Sequence, residues 1–146
     1  MRMTILAFLA VLGAQTAQAS ETAALIKSSI FVERGAYNGR PGTRTVERAS
    51  TLGSGDRVVT ILDWRTQGET RAVTVSLSIP THLAFQRSSL GNEEISIDQG
   101  RSWGKLGTLR LRDNDGLRLA APEDVTNIRW RVNGTNGRIT YSAVVR

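Results

Sequence analysis

Gly55 to Ser89 reads GDRVVTILDWRTQGETRAVTVSLSIPTHLAFQRSS. Within it Val73, Val75, Leu77 and Ile79 alternate with Thr74, Ser76 and Ser78. A period of two puts the first set on one face and the second on the other, which predicts a half-buried β-strand. Pro80 has no amide hydrogen to give to a ladder, so it ends that strand and turns the chain toward the next apolar run, Leu83 to Phe85. Upstream, Val58, Val59, Ile61, Leu62 and Trp64 make Arg57 to Arg65 almost continuously apolar. That pattern predicts a central strand, covered on both sides or twisting between environments.

The same signals recur outward in both directions. Leu25 to Glu33 opens as a strand, the Gly- and Asn-rich Gly35 to Gly42 makes a long connection, and Thr43 to Ser50 supplies an edge strand. Gly53-Ser-Gly-Asp56 is a tight entry to Arg57. Past Phe85 the strands shorten to Glu94–Asp98, Leu106–Arg112, Gly116–Leu119, Thr126–Val132 and Arg138–Val145. Turn signals stand between them at Asp98-Gln-Gly100, Asp113-Asn-Asp-Gly116, Asn133-Gly134 and Asn136-Gly137. Pro122-Glu-Asp124 starts one helical turn at most, with Ala121 held extended by the proline. Many short strands with no helical period and no internal repeat predict an all-β antiparallel sandwich or barrel.

The amino terminus reads as a leader. Met-Arg-Met precedes the apolar TILAFLAVLG of Thr4 to Gly13, and Ala17-Gln-Ala19 gives a small-x-small cleavage site before Ser20. Ten apolar residues are too few for a span, which needs about 20. Residues 1–19 are therefore expected to be a signal peptide and 20–146 a single domain of about 125 residues, exported to the periplasm or beyond. The chain has no cysteine, which excludes disulfide stapling and lipidation at a cysteine. The formal net charge is +6, one unit of which, Arg2, leaves with the leader. A basic excess favours polyanionic partners, although it also serves solubility.

Few residues carry chemistry. Ser96-Ile-Asp98-Gln-Gly100-Arg-Ser102-Trp103 fits Ser-x-Asp-x-Gly-x-Ser-Trp, similar to the Asp-box of sialidases and related propellers. Physically it is a hairpin in which a carboxylate collects local amides and a hydroxyl, Gly100 supplies a positive φ and Trp103 covers the turn. A turn-stabilising role is expected, in preference to carbohydrate contact by Trp103. Asp113-Asn-Asp115-Gly116 begins like a calcium loop, but the bidentate acid such a loop needs is replaced by Leu117 to Ala121, so a hairpin turn is expected. His82 is the single histidine and no Gly-x-Ser-x-Gly elbow occurs. Neither an enzyme nor a cofactor or metal site is expected. Arg110, Arg112, Arg129 and Arg131 fall on predicted solvent faces and would form a basic stripe, a possible polyanion contact, if their strands paired. The opposing expectation is a solvated face that deters edge aggregation.

From Gly55 to Arg146 the chain resembles the bacterial conserved-repeat surface domain, domain of unknown function 11. The residues carrying the likeness are Gly55 to Thr60, Val73-Thr-Val75 leading to Ser78-Ile-Pro80, and Leu83-Ala-Phe85. They continue at Ser96 to Gly104, Asp124 to Trp130 and Gly137 to Ser142. The resemblance implies an immunoglobulin-like β-sandwich in a bacterial envelope or cell-surface protein, structural or adhesive in role. Family members commonly carry such domains in tandem, whereas a single copy stands here.

The expected function is thus an exported, non-enzymatic β-sandwich that binds or packs through its sheet edges and loops. Its expected partner is another envelope protein or an anionic surface polysaccharide, including lipopolysaccharide, bound through the arginines; nucleic acid and an integral span after leader removal are not expected. A small periplasmic hydrolase is the disfavoured third reading. Cleavage after Ala19 should give an intact mass beginning at Ser20 in protein recovered from the envelope fraction. A mass that retains residues 1–19 would reject the leader.

Overall fold

The structure, a computed structural model, describes residues 24–35, 44–67 and 72–146; the expected leader and most of the Gly35 to Gly42 connection lie outside them. Ten strands are described: β1 Leu25–Gly35, β2 Arg44–Arg48, β3 Arg57–Arg65, β4 Val73–Ser78 and β5 Leu83–Ser88. The second half holds β6 Glu94–Ser96, β7 Arg110–Asp113, β8 Gly116–Leu119, β9 Asn127–Val132 and β10 Asn136–Val145. A single 3₁₀ turn at Pro122–Asp124 precedes β9. All pairings are antiparallel.

The strands form a five-stranded sheet ordered β2-β1-β3-β10-β5, a three-stranded sheet ordered β4-β9-β6 and a small β7-β8 ribbon. As the apolar run predicts, β3 is the middle strand of the large sheet, and β2 is its edge. The core takes one face of β3, through Val58, Leu62 and Trp64, while Val59 and Ile61 on the other face are half-buried beside their ladder neighbours.

One hydrophobic cluster joins the two larger sheets. Val58, Leu62, Phe85, Ile139, Tyr141 and Ala143 meet Val75, Ile95, Ile128 and Trp130 from the opposite layer. Trp130 is fully buried, its ring 6.3 Å from that of Tyr141, and its indole nitrogen donates to the Ser88 hydroxyl at 3.0 Å. A buried indole needs such an acceptor. The Ser88 hydroxyl in turn donates to Glu93 at 2.6 Å.

Two connections cross between the layers at one end, β3 to β4 and β9 to β10. Just past β3 the Thr66 amide donates to the Thr135 carbonyl of the β9–β10 connection at 2.7 Å. Trp130 of β9 packs against Tyr141 of β10 and reaches Ser88 of β5, which sets β9 against those two strands. Along the core-side face of β1, Val32 is 1% exposed, whereas Ile26 and Ile30 are 40% and 42% exposed.

Three boundaries differ from the sequence expectation. Asn136-Gly137 is not a turn but the start of β10, because the Trp64 indole lies across Gly137; a Cβ there would come within 2.8 Å of it. Asn133-Gly134 joins strands of different sheets instead of closing a hairpin. Leu106 to Leu109 is not strand: Lys105 to Thr108 curls into a turn, closed by the Thr108 amide and hydroxyl on the Lys105 carbonyl, and packs Leu106 and Leu109 on the core.

Trp130→Ala would leave a cavity between the layers and remove the indole donor to the Ser88 hydroxyl, for an expected loss of about 3–5 kcal/mol. Urea denaturation followed by fluorescence and circular dichroism should show a much lower midpoint, and an unchanged midpoint would contradict the assigned packing.

Candidate functional site

The Asp-box-like segment closes on itself. Asp98 Oδ1 accepts the Ser96 hydroxyl at 2.7 Å and the amides of Arg101 and Ser102 at 3.0 and 2.9 Å, while Oδ2 accepts the Ser102 hydroxyl at 2.6 Å. The buried Ser96 hydroxyl accepts the Gly100 amide at 2.8 Å. Gln99 and Gly100 both have positive φ, 62° and 87°, which turns their amides inward. The Gln99 amide donates to the Thr126 hydroxyl, and that hydroxyl and the Thr126 amide donate to the Ser96 carbonyl. These contacts sew the turn to the start of β9. Ser102, then the Ser96 hydroxyl and the Arg101 amide, hold the Asp98 carboxyl far below the ordinary carboxylate range. With four donors on its two oxygens, the carboxylate is engaged in architecture.

Trp103 covers the turn and stacks on a cation. The Arg129 guanidinium lies 4.3 Å from its ring centroid, and Arg129 Nε donates to Glu94 Oε2 at 2.8 Å. One indole face is therefore occupied by a residue of the same domain.

The predicted arginine stripe is not assembled. Arg110 and Arg112 lie on β7, which pairs with β8, whereas Arg129 and Arg131 lie on β9 between β4 and β6. Arg129 is engaged as described; Arg131 is exposed opposite Thr74, and Arg110 and Arg112 are exposed opposite Leu119 and Leu117. The pattern of alternation gives each arginine its face correctly, but partner choice depends on long-range packing.

The Asp113-Asn-Asp-Gly116 segment is the hairpin turn of β7 and β8. Asp113 Oδ1 accepts the Asp115 amide at 3.0 Å, and Oδ2 accepts Arg118 Nε at 2.6 Å. Arg118 also grips Asp124 through both terminal nitrogens, at 2.6 and 2.9 Å, tying the hairpin to the 3₁₀ turn. This fork lowers both carboxyl pKa values, chiefly through its hydrogen bonds. Sequence reasoning passed over Arg118, since nothing in its neighbourhood marks a residue that bridges two turns. His82 is exposed in the turn after Pro80. Among the described residues no group of three or more His, Cys, Asp or Glu could hold a metal ion, and no helix is long and apolar enough to cross a membrane.

Two depressions mark the large sheet. The wider, about 980 Å³, opens at the bare end of β1 between Leu25, Ile26 and Trp64, with the Asp63–Arg138 ion pair on its rim. The other, about 420 Å³, lies on the outer face and includes Arg57, Arg87, Val59, Thr140 and Ser142.

No protein-family model, curated protein or solved structure matches this chain.

A carboxylate whose folded pKa is lowered adds stability in full above the unfolded value, about pH 4, and loses it as pH falls through the folded value. Asp98→Asn should therefore lower the thermal midpoint at pH 7 and flatten its fall between pH 4 and 2. Circular dichroism melts across that range check both; an unchanged midpoint at pH 7 would show the box to be dispensable.

Proposed function

We propose that this is an exported, non-enzymatic interaction domain of the bacterial envelope, an immunoglobulin-like β-sandwich that accepts an extended segment of another protein along β4. The observation that carries this reading is the mismatch between the layers. The small sheet has three strands and the large one five, and on our reading the core-side face of β1 and β2 overhangs β4. Ile26 and Ile30 lie on that overhang, and among the described residues the outer edge of β4 has no ladder partner. Natural edge strands are usually blunted by charge, proline or a bulge. β4 reads Val-Thr-Val-Ser-Leu-Ser and pairs with β9 in unbroken register, with none of the three.

A second copy does not fit this edge. Antiparallel pairing of β4 with its equivalent would place both large sheets on the same side of the joined layer. Each overhangs by two strands, about 10 Å, and the two would occupy the same space. A single strand donated by a different protein meets no such obstacle: alternate side chains would cover Ile26 and Ile30 while its backbone pairs with β4. Asp63, Asp98, Asp113 and Asp124 are each tied into a turn or an ion pair, which supports a binding reading.

The probe is a short peptide of alternating threonine and valine with a lysine at each end. Added in excess, it should slow hydrogen exchange of alternate β4 amides, and Ile30→Lys should abolish that protection without changing the melting temperature. Exchange at β4 that is indifferent to the peptide, or protection that survives Ile30→Lys, would overturn the proposal.

A further inference from the structure

The outer face of the five-stranded sheet, opposite the overhang, presents a second kind of surface. Across its strands from β2 to β5 one row reads Arg48, Phe31, Val59, Ser142, Arg87, and the next reads Val46, Glu33, Arg57, Val144. The groove of about 420 Å³ lies across these rows. We infer that this groove is a binding site for a carboxylate-bearing saccharide, with Arg57 and Arg87 taking the carboxylate and the Thr140 and Ser142 hydroxyls meeting the sugar hydroxyls.

Arg57 and Arg87 are the two arginines in the lining of the groove. Arg118, Arg129 and Arg138 are locked to carboxylates at 2.6 to 2.8 Å. Arg87 is exposed and forms no ion pair among the described residues. Glu33 Oε2 stands 3.7 Å from Arg57 Nε, an ion pair longer than a hydrogen bond. The Cα atoms of Arg57 and Arg87 sit two strands and one pleat repeat apart, about 12 Å, a gap that two arginine side chains close around one acidic sugar unit. Guanidinium forks match a planar carboxylate bidentately.

The rest of the lining selects the class of ligand. Hydroxyls both donate and accept, as sugar hydroxyls require, and Val59 gives an apolar floor for a ring face. A lipid surface calls for projecting large apolar side chains, and of the lining residues only Val46 is one. Single-stranded nucleic acid calls for exposed aromatic platforms, and the lining aromatic, Tyr141, is buried. The site shares no residue with the β4 edge, so it stands or falls separately from the strand-accepting role.

The test is a calorimetric and NMR titration of the chain with galacturonic acid oligomers at low salt, with maltose oligomers as the neutral control. Acidic oligomers should bind and shift the Thr140 and Ser142 amides. Arg57→Gln and Arg87→Gln should each weaken binding by about tenfold or more at an unchanged melting temperature, while Arg110→Gln and Arg112→Gln stay within about twofold. Absence of binding, an equal loss in the Arg110 or Arg112 variants, or equally tight binding of inorganic phosphate would overturn the assignment.

Discussion

Trp130 lies between the two sheets with its ring against Tyr141 of β10 and its indole nitrogen on the Ser88 hydroxyl at the end of β5. A side chain of this size buried without solvent contact has few positions in which its apolar rings and its single donor are both satisfied. This one is satisfied only with β9 lying over β10. The Thr66 amide on the Thr135 carbonyl ties the end of β3 to the β9–β10 connection. On the core-side face of β1, Val32 is buried while Ile26 and Ile30 stay exposed.

Polar chemistry reinforces the same arrangement. Asp98 and Ser96 gather the box amides and, through Thr126, fix the box to the entrance of β9. Glu94 and Trp103 then hold Arg129 on the outer face of that strand. Arg118 does the equivalent for the β7–β8 ribbon by gripping Asp113 and Asp124. Groups that in another setting would bind ligand or move protons are here saturated by neighbours. Among the described residues what stays open is the uncharged edge of β4, the exposed Ile26 and Ile30 of β1, and an outer face that carries Arg57 and Arg87.

These surfaces lie on opposite faces of one rigid sheet, so the two proposed interactions do not exclude one another. A partner strand along β4 would face the core side of β1, and an acidic saccharide would lie across β3, β10 and β5 from outside. Coupling between them would have to pass through β3, whose alternate residues point to both faces.

Local rules made much of this legible in the sequence. Alternation along Val73 to Ile79 and Ile128 to Val132 marked strands and their buried faces, and the run of Val58 to Trp64 marked the central strand. Asp98, Gly100 and the Asp113-Asn-Asp-Gly116 turn were readable because positive φ and short-range side-chain acceptors act over a few residues. Partner choice was not readable. The arginines of β7 and β9 were each given a solvent face, yet they lie in different sheets, and Asn136-Gly137 looked like a turn until the Trp64 indole occupied the space a side chain would take. Strand neighbours, the unequal width of the layers and the bare Ile26 and Ile30 depend on contacts between residues far apart in the chain. Periodicity reports which way a side chain points; only packing decides what, if anything, stands in front of it.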